Sequence, residues 1–142
     1  MVLIKSIKTG FVKGIETTWM LGKVVVPVYL LVTILKYTPV IEWITSIFTP
    51  LMALFNLPGE AAIILVLGNV LNLYAAIGAI TAISLTPMEV TVIAIMLSFS
   101  HSLLIETAVT KKLGISVKKV ILIRLGLAVV SGILVGQLGG VI

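Results

Sequence analysis

Apolar residues run through this sequence in long blocks with short polar punctuation, and the spacing inside the blocks changes along the chain. Over residues 3–20, Ile4, Ile7, Phe11, Ile15 and Trp19 fall within about a 120° arc at ~100° per residue, while Lys5, Lys13 and Glu16 point elsewhere. The pattern predicts an amphipathic helix that lies in a membrane interface or simply extends the first span. Residues 24–37 form that span, with Pro27 near its start and Lys36 and Tyr37 at a headgroup boundary. Residues 39–57 carry Glu42 and Trp43 early and are broken by Pro50. At ~1.5 Å per residue they only just cover a ~30 Å hydrocarbon core, so they read as a short span or a re-entrant hairpin buried in protein. Residues 58–83, 87–113 and 116–142 each exceed the roughly 20 residues a span needs.

The boundaries carry cap chemistry. Thr86-Pro87-Met88-Glu89 supplies an N-cap hydroxyl, Pro at the first helical position and Glu at the third. Lys111 and Lys112 precede Gly114, a helix stop, and Ser116 opens the next helix. The prediction is all-α: a polytopic membrane bundle in a single domain over 1–142, with four or five membrane helices after the amphipathic one.

Composition agrees with lipid as the solvent. Of the 142 residues, 60% are hydrophobic and 11% charged, and mean hydropathy is +1.30. Soluble domains carry about a quarter of their residues as charges, so this chain has too few to coat a surface in water. There is no Cys, which excludes disulfides, thiolate metal sites and thiol nucleophiles. The basic n-terminal region is too long, and the first apolar run too late, for a cleavable signal.

The net charge of +5 would suggest nucleic acid in a soluble protein. Here the basic residues flank spans instead, which argues against nucleic acid. Lys5, Lys8, Lys13 and Lys23 precede the first span, Lys111, Lys112, Lys118 and Lys119 lie between the last two, and Ser84–Thr86 has none. Both clusters face the cytoplasm only if an even number of crossings separates them. On this reading 39–57 must cross, giving five spans with the lysine-rich loop 111–119 cytoplasmic. A re-entrant 39–57 would put the clusters on opposite sides, leaving a chain able to insert both ways.

Polar side chains inside the spans mark cavities, solute paths or helix contacts. Asn69 and Asn72 lie about 60° apart on a helical projection, on a small-residue face with Gly68, Ala76 and Ala79. They read as a binding wall or as hydrogen-bonding glue between helices. Thr91, Ser98, Ser102 and Glu106 fall within about 80° of arc, with His101 beside them. That stripe suits a hydrated cavity wall, unless the hydroxyls bond back to their own helix. Glu60, after Pro58-Gly59, is a weaker candidate, because Glu in a first turn is favoured by the helix dipole alone. Ala128, Gly132, Gly136 and Gly140 repeat every fourth residue and predict a helix-packing or subunit interface. No metal site follows from one His and one Glu, no cofactor is implied, and no catalytic constellation is present, so no enzyme is expected.

The stretch from Pro58-Gly59-Glu60-Ala61-Ala62 through Gly68-Asn69-Val70-Leu71-Asn72, followed by Ser98-Phe99-Ser100-His101-Ser102 and Glu106-Thr107, resembles the nucleoside-recognition, or Gate, family. Members are similar to parts of concentrative nucleoside transporters and of ferrous-iron transporters, and others are free-standing, including the spore-maturation pair. The resemblance implies a single repeat that builds a path for a small polar solute or ion when two copies, identical or sibling, come together. It carries over Glu60, Asn69, Asn72, Ser98, His101 and Glu106 as polar lining. The absence of Cys argues against iron, and the single repeat argues against a complete site in one chain. The competing expectation is a membrane assembly protein of the spore-maturation type that transports nothing.

Overall fold

The structure is a computed structural model describing residues 2–139. Its elements are α1 (Val2–Lys36), α2 (Pro39–Met52), α3 (Ala61–Val70), α4 (Leu73–Ala82), α5 (Pro87–Ser100), α6 (Leu103–Lys112) and α7 (Val117–Gly139), with a 3-10 turn at Ala53–Phe55 after α2. Among the described residues there is no strand. The protein is an all-helical membrane bundle.

α1 is one helix of 35 residues with Pro27 inside it. The stretch 3–20 is therefore not a separate interfacial element but the continuation of the first span. Nothing between Met20 and Val24 stops a helix, and in lipid an interruption would strand backbone groups. From Trp19 to the helix end is about 27 Å of axis at ~1.5 Å per residue, close to a ~30 Å bilayer core. Residues 2–18 extend beyond it.

Residues 39–57 begin and end on one face of the bundle. Lys36 Nζ donates to the Ala82 carbonyl at 3.1 Å, so the ends of α1 and α4 lie together, a short loop away from the start of α5. At the other end of α2, Gln137 Nε2 donates to the Leu54 carbonyl at 3.1 Å. A Cβ at Gly139 would run into the Met88 side chain, placing the end of α7 beside the start of α5. Both ends of α2 thus sit on one face of the bundle. Asn56 then adopts a left-handed conformation, φ 55°, and Gly59 slides under α2, where a Cβ would meet the Thr45 carbonyl and stand 2.6 Å from Thr49 Oγ1.

Residues 58–83 form two short helices rather than one continuous helix. Positions eight apart on a straight helix are about 12 Å apart, yet a Cβ at Gly68 would stand 3.1 Å from that of Ala76. The chain reverses at Leu71 and Asn72, so α3 and α4 form a hairpin. Each arm has 10 residues, about 15 Å, and reaches partway into a bilayer before returning to the face it left. α4 packs along α1, where a Cβ at Gly78 would lie 2.8 Å from the Val25 carbonyl.

Among the described residues, three stretches are long and apolar enough to cross: Leu3–Lys36, Pro87–Lys112 and Val117–Gly139. Among the described residues, α1 and the α5–α6 pair are the two candidate crossings that lie between the two lysine clusters. Cytoplasmic lysines on both sides of the count require an even number of crossings between the clusters, and three candidate spans meet that requirement as five would.

The core joins Val32, Ile64, Leu65, Ala76, Ala79, Val92, Ile93, Met96, Leu97 and Ala128. Leu122, Ile123, Leu134 and Leu138 of α7 are exposed on the outer surface, as a lipid solvent allows. Ala128, Gly132 and Gly136 are buried. A Cβ at Gly132 would lie 2.7 Å from Met96 Sδ, and one at Gly136 would collide with the Phe55 carbonyl. This small-residue face therefore holds α7 against the chain's own α5 and 3-10 turn, and is not free for a subunit contact; Gly140 lies outside the described residues.

The chain has no native Cys, so single cysteines report the topology directly. Asn56→Cys and Ser84→Cys should react with an impermeant maleimide from the same side of a vesicle, and Ser116→Cys from the opposite side. Labelling of Asn56→Cys together with Ser116→Cys would show that 39–57 crosses after all.

Candidate functional site

Two interruptions meet inside the bundle. α5 ends at Ser100 and α6 begins at Leu103. Between them Ser102 takes φ 54° and ψ 37°, a left-handed conformation that a non-Gly residue holds at about 1–3 kcal/mol of strain. The Ser102 amide donates to the Gly68 carbonyl at 2.9 Å, which ties this break to the last turn of α3. Gly68 permits the approach, since a Cβ there would stand 2.7 Å from Leu97 Cδ2. The predicted single helix over 87–113 is therefore two helices. Hydroxyls near its middle bond back to their own turn, Ser98 to Ile95 and Ser100 to Met96 at 2.7 and 3.0 Å, a local bonding that loosens helices.

At the hairpin tip the two asparagines do different jobs. Asn72 is the N-cap of α4, its Oδ1 accepting from the Ala75 amide at 3.0 Å, the role for which Asn is favoured. Asn69 Nδ2 donates to the Leu65 carbonyl at 2.7 Å. Its Oδ1 is buried and has no hydrogen-bond partner among the described residues. The two side chains do not share a helical face, because the helix ends between them.

The residue that organises the junction is Arg124. It stands in α7, about 10 Å of axis past Val117. Its Nε donates to the Phe99 carbonyl at 2.7 Å and Nη2 to the His101 carbonyl at 3.0 Å, both at the end of α5. Nη1 lies 3.3 Å from Glu106 Oε2 in the first turn of α6, with the two side chains 18% and 49% exposed. An arginine at the centre of a membrane helix costs about 2.5–3.5 kcal/mol on insertion scales, so its retention needs local partners, and these are they. Sequence reasoning counted Arg124 with the flanking lysines and passed over it. The signal was present: a lone ionisable residue several positions inside an apolar helix.

Of the residues singled out in the sequence, Asn69 and Asn72 at the tip, and His101 and Ser102 at the break, form the junction, with Glu106 joined to it through Arg124. His101 Nδ1 is 3.3 Å from Ser102 Oγ. Ser98 is exposed and Thr91 Oγ1 bonds back to the Pro87 carbonyl at 2.8 Å, so the hydroxyl stripe does not reach the junction as one surface. Glu60 occupies the N-cap position of α3 without a side-chain capping bond, about 13 Å of axis from Asn69, at the mouth of the hairpin. Among the described residues no three His, Cys, Asp or Glu side chains group as metal ligands.

A half-depth hairpin docked on a broken crossing helix defines a class of membrane protein built on discontinuous helices. Within that class the chain belongs to the Gate family, described as nucleoside recognition, whose pattern matches residues 18–116. It is 51% identical over 131 residues to a Bacillus subtilis protein named uncharacterized membrane protein YvoD, covering 92% of this chain and 42% of that protein. It is 36% identical over 96 residues to the inner membrane protein YjiG of Escherichia coli K12, covering 65% of this chain and 60% of YjiG. The chain thus spans roughly half the length of these relatives. No solved structure matches it.

The strain at Ser102 yields a test. Ser102→Gly should leave the melting temperature in detergent unchanged or raised, since Gly adopts this conformation freely. Ser102→Val should destabilise by about 1–3 kcal/mol, and equal melting of the two variants would rule out a left-handed residue at the break.

Proposed function

We propose that the chain is a subunit of a transporter for a small polar solute, of the nucleoside kind or an ion, with its site at the junction of the α3–α4 hairpin and the α5–α6 break. The carrying observation is Asn69 Oδ1, a buried acceptor with no partner among the described residues. A buried polar atom left unpaired costs about 1–3 kcal/mol, and a solute N–H or O–H, or a small cation, would satisfy it. Discontinuous helices in the membrane interior are where transporters gather substrate groups, and both elements at this junction are of that kind. Membership of a family described as nucleoside recognition supports the same solute class.

In this reading the site is completed by a second copy of the chain or by a sibling subunit. Ser98 is exposed and the Glu106 carboxylate half-exposed, and within a span lipid is a poor neighbour for such groups. The side bearing Lys5, Lys8, Lys13, Lys111, Lys112, Lys118 and Lys119 faces the cytoplasm, following the basic-residue bias. The chain acts without catalysis of its own.

A second reading also has support. Asn72 is spent on a helix cap, and Ser98 and Thr91 bond to their own helices, so these groups need no solute. An assembly protein that only joins partners in the membrane would look the same at those positions. Asn69 separates the two readings. Asn69→Leu should abolish stabilisation by nucleosides in a thermal-shift series, and uptake into proteoliposomes, while the protein still folds. If wild type shows neither stabilisation nor uptake across nucleosides and monovalent ions, the assembly reading stands.

A further inference from the structure

We infer that the Arg124 guanidinium is the resident cation of the α5–α6 break, a positioning group that fills the carbonyl cradle where a helix broken in a membrane otherwise holds a free ion. The inference concerns the architecture of the break and stands whether or not the chain transports.

The end of α5 has the character of a cation site. Its terminal carbonyls have no following turn to accept from, and the helix dipole places negative potential there. In broken membrane helices such ends coordinate small cations. Here Phe99 and His101 present their carbonyls to Arg124 at 2.7 and 3.0 Å, and the Glu106 carboxylate stands 3.3 Å from the same guanidinium. All three guanidinium nitrogens are engaged. The two carbonyls come from one side of the break and the carboxylate from the other, so a single planar cation clamps both halves of the interrupted helix. Three backbone amides at the break are paired as well: His101 N to Leu97 O, Ser102 N to Gly68 O and Glu106 N to Ser102 O. The cation at these carbonyls is thus supplied by α7 rather than by the medium.

A consequence follows for ligand binding. With this cradle filled from within, an alkali cation does not bind at the end of α5, and any ion dependence of the protein must arise at another place, such as Asn69 Oδ1. Lysine would not substitute fully, because one ammonium cannot match a planar fork that reaches three acceptors.

The test is chemical rescue of purified protein in detergent. Arg124→Ala should melt about 5–10 °C below wild type. Millimolar guanidinium chloride should recover part of that loss while leaving wild type unmoved, and tetramethylammonium, too large and without N–H donors, should recover none. An Arg124→Ala protein that melts with wild type, or responds to guanidinium no more than wild type does, overturns the proposal. Should Arg124→Ala fail to fold, Arg124→Lys and Arg124→Leu decide by yield from membranes. The inference expects folded Lys variant, melting below wild type, and little or no Leu variant. Recovery of Arg124→Leu at the level of Arg124→Lys would show that bulk rather than charge is what position 124 supplies.

Discussion

Lipid offers no hydrogen bonds, so a backbone that leaves its helix inside the bilayer must find every partner within the protein. This chain leaves its helix there twice, at Leu71–Asn72 and at His101–Ser102, and the rest of the bundle is arranged around meeting that demand. The two interruptions answer each other through Ser102 N and Gly68 O. The hairpin's second arm is started by the Asn72 side chain, and its last carbonyl is met by Lys36. What the helices cannot supply, the Arg124 side chain does. Removing the partners at the two breaks would leave backbone donors or acceptors unmet inside the bundle.

Close approach is the second requirement, because a carbonyl inside one helix is reachable only if side chains leave room. Gly68 lies where Leu97 and Ala76 converge, and Gly78 where α4 meets the backbone of α1 at Val25. Ala75, Ala76 and Ala79 are fully buried on the same arm. Without a hydrophobic drive between helices in lipid, van der Waals contact of this kind supplies much of the association. The small residues and the broken helices are therefore one device: the first lets the second be satisfied.

The helix ends governed by local chemistry were readable from the sequence. Thr86 and Glu89 form the capping box that their spacing predicts, and Gly114 takes a left-handed φ of 72° after Lys112. The interruptions were not readable by periodicity, since projecting Asn69 and Asn72, or Ser98 and Glu106, onto one wheel assumes the continuity that fails between them. Each break is local in sequence but is held by a group far along the chain, Gly68 for Ser102 and Arg124 for Phe99 and His101. The motif residues of the family resemblance fall at the hairpin's mouth, at its tip and about the break. The resemblance did not point to Arg124, which is not among the motif residues that carry it.

Charge bias along a membrane chain reports only whether the number of crossings between two basic clusters is odd or even. A re-entrant hairpin contributes none, and so does a helix lying along one face. Counting both 39–57 and 58–83 as crossings therefore preserves the same parity as counting neither, and five spans and three spans predict identical sidedness for every lysine cluster. Only contacts that join chain ends across the intervening segments break this degeneracy. Lys36 to Ala82 brings α4 back to the end of α1, and Gln137 to Leu54 brings α2 to the end of α7. Given those two bonds, the hairpin enters and leaves by one face, and its tip has only the membrane interior, and the broken helix waiting there, to dock against.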